Sequence, residues 1–213
     1  MKPTVVFDLD GTLVNSLPDI IASFQYVLRK AGLTPPSEND MAKLIGLPLA
    51  EMFRRAAPGA SADSLSEAYR RHYRAHMTDN SRTYPGVAEV LGELRGRGLS
   101  LIVASTKRSH TARSLASTVG LLPLLDHIQG TDDFIPAKPA PDVIHAALKH
   151  IGGKGICMVG DTTHDVLAGK AAGLCTYAVG WGAHSPEMLR ISEPDFVEPD
   201  LKYLPDVLSM MPV

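Results

Sequence analysis

Four short runs in this chain, VVFDL, LIVAS, ICMVG and TYAVG, are apolar and rich in β-branched residues, and each gives way to polar residues or glycine. Runs of this kind are what strands of a parallel sheet look like when both faces are covered, because neither face can afford a polar stripe. They read as strands over about Thr4 to Leu9, Leu99 to Ser105, Gly155 to Gly160 and Cys175 to Gly180. Shorter strands fall near HIQG and DFVEP. Helical patterns alternate with them: Val90, Leu91 and Leu94 ending at Gly96 or Gly98, then His110 to Val119, Pro141 to His150, and the segment after Asp165. Strand and helix in alternation imply an α/β fold, a Rossmann-like core whose parallel sheet is flanked by helices.

One stretch breaks the alternation. From Ser16 to about Asp79 the apolar spacing is helical throughout, with Ile20, Phe24, Val27, Leu28 and Ala31 on one stripe and Gly32 closing it. Ser37 suits the N-cap of a helix through Leu44, a further helix starts near Leu49, and Ser61 or Asp63 can cap one that runs through Tyr69, Tyr73 and His76. This block reads as an inserted helical cap domain, residues 16–82, in a core made of residues 1–15 and 83–213.

The bulk composition narrows the field. A 213-residue chain with 45% hydrophobic residues can bury one good-sized core. Its net charge of −2 gives no reason to expect a nucleic-acid partner. No apolar stretch is long enough for a membrane span, and the first residues do not read as a signal peptide. The two cysteines, Cys157 and Cys175, are too few for a disulfide framework and suit buried thiols in a reducing, cytoplasmic setting.

Ligands of open parallel sheets bind beyond the carboxyl ends of the strands. Four polar clusters stand at such ends: DLDGT with Asp8 and Asp10, Ser105 with Thr106, Lys138 in AKPAPD, and GDTTHD with Asp161 and Asp165. Each alone has a bland explanation as a turn, a cap or a solvated charge. Their order and placement together fit phosphoryl transfer to an aspartate. Two anions must then meet, and magnesium (Mg2+), which prefers hard oxygen ligands, offsets their repulsion when held by Asp8 and Asp161. Lys138 supplies a compact positive charge, and Ser105 a hydroxyl donor beside a helix start. Asp10 can protonate the leaving oxygen and later take a proton from the hydrolytic water. Gly11 allows a sharp turn that keeps Asp10 near the same phosphate.

These four motifs resemble those of the haloacid dehalogenase superfamily. NSLPDI, YPGV, GDTTHDVLAGKAAG and VGWGAHSPEML extend the resemblance over nearly the whole chain, toward the phosphoglycolate phosphatase-like branch with a helical cap. The resemblance implies Asp8 as nucleophile and Asp10 as general acid/base. It implies magnesium on Asp8, the Asp10 backbone carbonyl and Asp161, with Asp165 in support. The candidate substrate- and phosphate-binding residues are Gly11, Thr12, Ser105, Thr106 and Lys138. Two positions depart from the family pattern: Asn15 replaces an aspartate, and motif two reads STK rather than TNK, so Thr106 lacks an amide.

Asp10 favours phosphate chemistry over dehalogenation, which needs no acid there. The cap stretch LIGLPLAEMF has no lysine where related phosphonatases carry one, and Leu49 stands where hexose-phosphate mutases carry an arginine. The expected activity is hydrolysis of a small phosphorylated metabolite, with phosphoglycolate the first guess and pyrophosphate, a nucleotide or a sugar phosphate the alternatives. A phospho-acceptor module is the competing class; the position of Asp10 and the cap argue against it. Gly46, Leu47 and Pro48 are expected to form the substrate-facing cap turn, with Arg54 or Arg55 close by or simply solvated. His164 is expected to be a spacer and Trp181 loop packing. The resemblance allows a monomer or a homodimer.

Overall fold

In the computed structural model, which describes residues 1–132 and 135–210, the chain starts with strand β1 (Pro3–Phe7). A two-residue strand β2 (Val14–Asn15) follows, then four helices: α1 (Leu17–Lys30), α2 (Glu38–Leu44), α3 (Leu49–Ala56) and α4 (Ala62–His76). Strand β3 (Arg82–Thr83) returns the chain to strand–helix alternation through α5 (Val87–Gly96), β4 (Ser100–Ser105), α6 (Ser109–Thr118), β5 (His127–Gly130) and α7 (Asp142–Ile151). The remainder is β6 (Lys154–Gly160), α8 (Thr163–Ala171), β7 (Cys175–Val179), α9 (Pro186–Ile191), β8 (Phe196–Glu198) and α10 (Leu204–Met210).

The six longer strands form one parallel sheet in the order β5-β4-β1-β6-β7-β8. The period of two along each strand feeds two cores. Val5, Phe7, Leu101, Val103, Cys157 and Val159 pack with α5 and α6 on one face. Val6, Ile102, Ala104 and Met158 pack with α7 and α8 on the other. This is the doubly covered parallel sheet that the apolar runs imply. The strand order reverses around β1, which lies between β4 and β6, so the crevice at its carboxyl end is the natural place for a ligand.

Helices α1–α4 have an apolar cluster of their own, with Phe24 stacked on Phe53 at 4.2 Å and both rings edge-on to Tyr69. Their ends follow local chemistry. Ser37 and Ser61 each accept a hydrogen bond from the backbone N–H three residues on, which stabilises a helix start by about 1 kcal/mol. The two connections to this block meet in the antiparallel β2–β3 pair, Val14 opposite Thr83 and Asn15 opposite Arg82. Asp19 fastens the same junction, accepting from the backbone and side chains of Asn80 and Ser81. Strands of two residues show no periodicity, and the sequence offers no pattern for them. Asn15 stands in this ladder with its side chain exposed, away from the acidic cluster.

Some boundaries differ from expectation. Strand β1 stops at Phe7, so Asp8 is the first residue beyond it. Helix α8 starts before Asp165, because Thr162 and Asp165 close a reciprocal capping box. Among the described residues, no helix is long and apolar enough to cross a membrane.

Candidate active site

The site grows from the end of β1. Past Phe7 the chain folds back on itself: the N–H groups of Leu13 and Val14 donate to Leu9 O, and Gly11 N–H donates to Val14 O. This tight loop presents Asp8 at the sheet and Asp10 one step beyond. Gly11 has φ of +89° and backs onto Asp161, where an added Cβ would lie 2.1 Å from a carboxylate oxygen. A side chain is excluded there on both counts.

Asp161 and Asp165 come from the end of β6 and the start of α8, next to β1 in the sheet. Asp8, Asp161 and Asp165 each place a carboxylate oxygen within 4.8 Å of the others, and all three are buried. Lys138 reaches them from the loop before α7. Its ammonium donates to Asp8 at 2.6 Å, Asp165 at 2.5 Å and Ala104 O at 2.9 Å, using all three of its protons. Lys138 is 2% exposed, so the bland explanation of a solvated charge does not hold for it.

The electrostatics follow from burial with incomplete compensation. Burial pushes the Asp8 carboxyl up to about 7, against the pull of Lys138 and with the help of Asp165 and Asp10. Burial also raises Asp161 well above the usual carboxylate range, and Asp165 and Asp8 add to it. Asp165 goes the other way: burial is outweighed by the Lys138 charge and by hydrogen bonds from Lys138 and Thr162. Lys138 itself is raised, since its two carboxylates overcome its desolvation. Three buried carboxylates share one ammonium, which leaves negative charge that burial disfavours. An all-oxygen donor set with excess charge fits a hard divalent cation, and Asp8, Asp161 and Asp165 are the side chains that could hold one.

The other expected residues take varied places. The Asp10 carboxylate accepts from Ser16 at 2.5 Å and pairs with Lys107 at 3.0 Å. Thr12 is fully buried, and its hydroxyl donates to Asp161 at 2.7 Å instead of opening to the cavity. Ser105 is buried at the end of β4, its hydroxyl accepting from Lys107 N–H, while Thr106 lines the cavity. Trp181 packs beneath the site, stacked on Tyr84 at 4.5 Å and donating to Thr12 O. His164 borders the site without joining the acidic trio.

Above these groups lies a cavity of about 520 Å³, between the sheet end and helices α1–α4. Asp8, Asp10, Thr106 and Lys138 line it from below, and Gly46, Leu47 and Pro48 from above. Arg54 and Arg55 do not line it; both pair with Glu51 on an exposed helix face. Lys107, Arg70 and Arg74 do line it, and sequence reasoning passed over them. Also missed was the loop after β7. Ala183 N–H donates to Asp161 at 2.8 Å, and Gly182 approaches so closely that an added Cβ would lie 2.3 Å from that carboxylate. The GWG glycines were the only signal of this approach.

A strand-end acidic trio, a lysine bridging two of its members, and an acid two residues after Asp8 make up the arrangement that the sequence resemblance implies. Residues 5–179 match the haloacid dehalogenase-like hydrolase family, and the chain belongs to that family. Within it the chain stands among the phosphatases. It is 34% identical to a pyrophosphatase, PpaX, of Halalkalibacterium halodurans, over 99% of this chain and 97% of the relative. It is also 34% identical to a phosphoglycolate phosphatase of Agrobacterium fabrum, over 98% and 93% of the two chains. The structure of a haloacid dehalogenase-like family hydrolase from Streptococcus pneumoniae superposes with a TM-score of 0.86 at 27% identity, covering 99% of each chain.

Proposed function

We propose that this protein is a magnesium-dependent phosphomonoester hydrolase that works through an aspartyl-phosphate intermediate on a small phosphorylated metabolite. One observation carries the reading: the buried trio Asp8, Asp161 and Asp165, bridged by Lys138, opens into a cavity that also holds Asp10. Asp8 attacks phosphorus, forming a new P–O bond as the bond to the leaving oxygen breaks. Asp10 gives its proton to that oxygen. It then takes a proton from the water that attacks the acyl phosphate, which frees Asp8 and inorganic phosphate. Lys138 holds the Asp8 carboxylate in place and adds positive charge beside the transferred group. Asp8, Asp161 and the Asp10 backbone carbonyl, with Asp165 in support, would hold magnesium, which would supply the positive charge that lets carboxylate and phosphate approach. Thr12, Gly11 and the 182–183 backbone keep Asp161 in position.

Helices α1–α4, residues 16–82, act as a cap on the core of residues 1–15 and 83–213, excluding water and reading the leaving group. Phosphoglycolate is the first substrate to try. Pyrophosphate is the second reading, favoured by equal identity to a pyrophosphatase. A reducing, cytoplasmic setting goes with this reading, because two cysteines are too few for a disulfide framework. Phosphate release from p-nitrophenyl phosphate, phosphoglycolate and pyrophosphate, with magnesium and with excess chelator, tests the activity. Release only with magnesium is expected; no release from any of them in either condition would overturn the reading.

A further inference from the structure

The charges around the cavity balance on one side only. Below, Lys138 is matched by Asp8 and Asp165, and Lys107 by Asp10. Above, Arg70 and Arg74 of α4 line the cavity with no ion pair or hydrogen bond among the described residues. Arginines elsewhere on the same four helices are partnered: Arg54 and Arg55 by Glu51, Arg71 by Glu67. Arg70 and Arg74 are moreover four residues apart, one turn on the same side of the helix, where like charges repel and weaken it. The carboxyl end of α4 favours Arg74 electrostatically but does nothing for Arg70 a turn earlier. The rest of the cap lining includes Ile20, Ile45, Leu47, Met52 and Tyr69, a surface for carbon and not for charge.

We propose that Arg70 and Arg74 form a subsite for a second anionic group, so that the substrate is an organic phosphomonoester with a distal carboxylate or phosphate. Its scissile phosphate sits at Asp8, its carbon skeleton against the apolar cap wall, and its distal anion at the arginine pair. Guanidinium groups suit either anion, since their paired N–H donors match carboxylate and phosphate oxygens alike. The proposal rests on the phosphatase reading for the end at Asp8. It goes further by assigning the selective end to two named residues, and it ranks substrates: monoesters with an uncharged leaving group should be poor, and a carbon-free anion should leave the apolar wall unused.

The test compares three substrates in the full chain with magnesium: phosphoglycolate for the distal carboxylate, ethane-1,2-diol bisphosphate for the distal phosphate, and ethyl phosphate for neither. The wild type should prefer at least one doubly anionic substrate over ethyl phosphate by about tenfold or more in kcat/KM. Arg70→Ala together with Arg74→Ala should collapse that preference through KM, and Arg70→Lys with Arg74→Lys should restore part of it. A preference that survives the double alanine change, or equal losses on all three substrates, would overturn the subsite. Calorimetric binding of phosphoglycolate to Asp8→Asn, with and without the two alanine changes, separates the two readings. Affinity about tenfold weaker with the alanines supports the subsite whatever the turnover. Equal affinities sink it even if the protein proves to be an active phosphatase.

Discussion

The lower and upper walls of the cavity are built on opposite principles. At the sheet end, the charged side chains at the base of the cavity are buried and held: Lys138 by two aspartates and a carbonyl, Asp161 by Thr12 and Ala183, Asp165 by Thr162 and Lys138. On the helical side the wall is largely apolar, and Arg70 and Arg74 stand at its exposed rim with no ion pair or hydrogen bond among the described residues. A preorganised, dry lower wall is what a fixed chemical step needs, because its groups do not have to reorganise when charge moves. A loosely constrained upper wall can change its substrate without disturbing the chemistry. The division predicts that damage below destroys turnover, and that damage above changes which molecule is turned over.

The sharpest way to break this comparison is at Asp8. Asp8→Asn should lower kcat by roughly 10⁴-fold or more, as expected when a nucleophile is removed from a unit that acts together. The fold should survive, since Lys138 keeps Asp165 and Ala104 as partners. Circular dichroism with a phosphate-release assay checks both halves; appreciable residual turnover would mean that another group attacks phosphorus.

Metal binding gives the next largest effect, and its sign can be worked out. Asp8, pushed up to about 7, and Asp161, also raised, hold protons in the cation-free folded state at pH values where they would ionise in the unfolded chain. The folded state then binds more protons, so stability with chelator should fall as pH rises from about 4 through 7. Magnesium competes with those protons, so the rise in Tm on adding it should be small at pH 5 and large at pH 8. A thermal-shift series over that range decides; a gain that does not change with pH would mean that the acidic trio is not where the ion binds.

The same division explains what could be read from the sequence. Asp8, Asp161 and Ser105 were legible because an apolar run that stops at a polar residue marks both a strand and its carboxyl end, and the sheet brings those ends together; Lys138, in the loop well past β5, was legible only through its motif. Ser37 and Ser61 were legible as caps because capping is local. The side on which Arg70 and Arg74 lie was not, because α4 and α3 both carry arginines and only packing decides which face the cavity. The 182–183 loop lies far along the chain from Asp161, and nothing in its spacing points there. Helices α9 and α10, six and seven residues long, are too short to display a helical period. Thr12 was a candidate for the phosphate; where its hydroxyl points is decided by its neighbours, and here it donates to Asp161.

A smaller effect is expected at the junction between the two walls. Asp19 accepts from Asn80 and Ser81, and those hydrogen bonds outweigh burial and hold its carboxyl below the ordinary 3.8. A carboxylate with a lowered folded pKa stabilises fully above its unfolded value and loses that contribution as pH falls through the folded one. Asp19→Asn should therefore cost roughly 1–3 kcal/mol at pH 7 and progressively less below about pH 4. Denaturant unfolding at pH 7 and pH 3 measures the difference. A cost that is the same at both would show that the shape of Asp19, and not its charge, holds the junction.

The smallest expected effect probes a place where the two walls meet beside Asp10, the proposed general acid. Lys107 pairs with Asp10 below and donates to the Tyr73 hydroxyl above at 3.2 Å, with its ammonium 4.4 Å from the centre of the Tyr73 ring. Tyr73→Phe removes the hydroxyl and leaves the ring, so Lys107 keeps Asp10 and the cation–π contact but loses an acceptor on α4. One neutral acceptor for a charged donor is worth about 1.5 kcal/mol, roughly a tenfold change. If the contact matters mainly when the helices close over substrate, the loss should appear in KM and leave kcat nearly unchanged. A matching fall in kcat would mean that Tyr73 also governs the placement of Asp10 during proton transfer. The upper wall would then take part in the chemistry, and the division between the walls would fail at this residue.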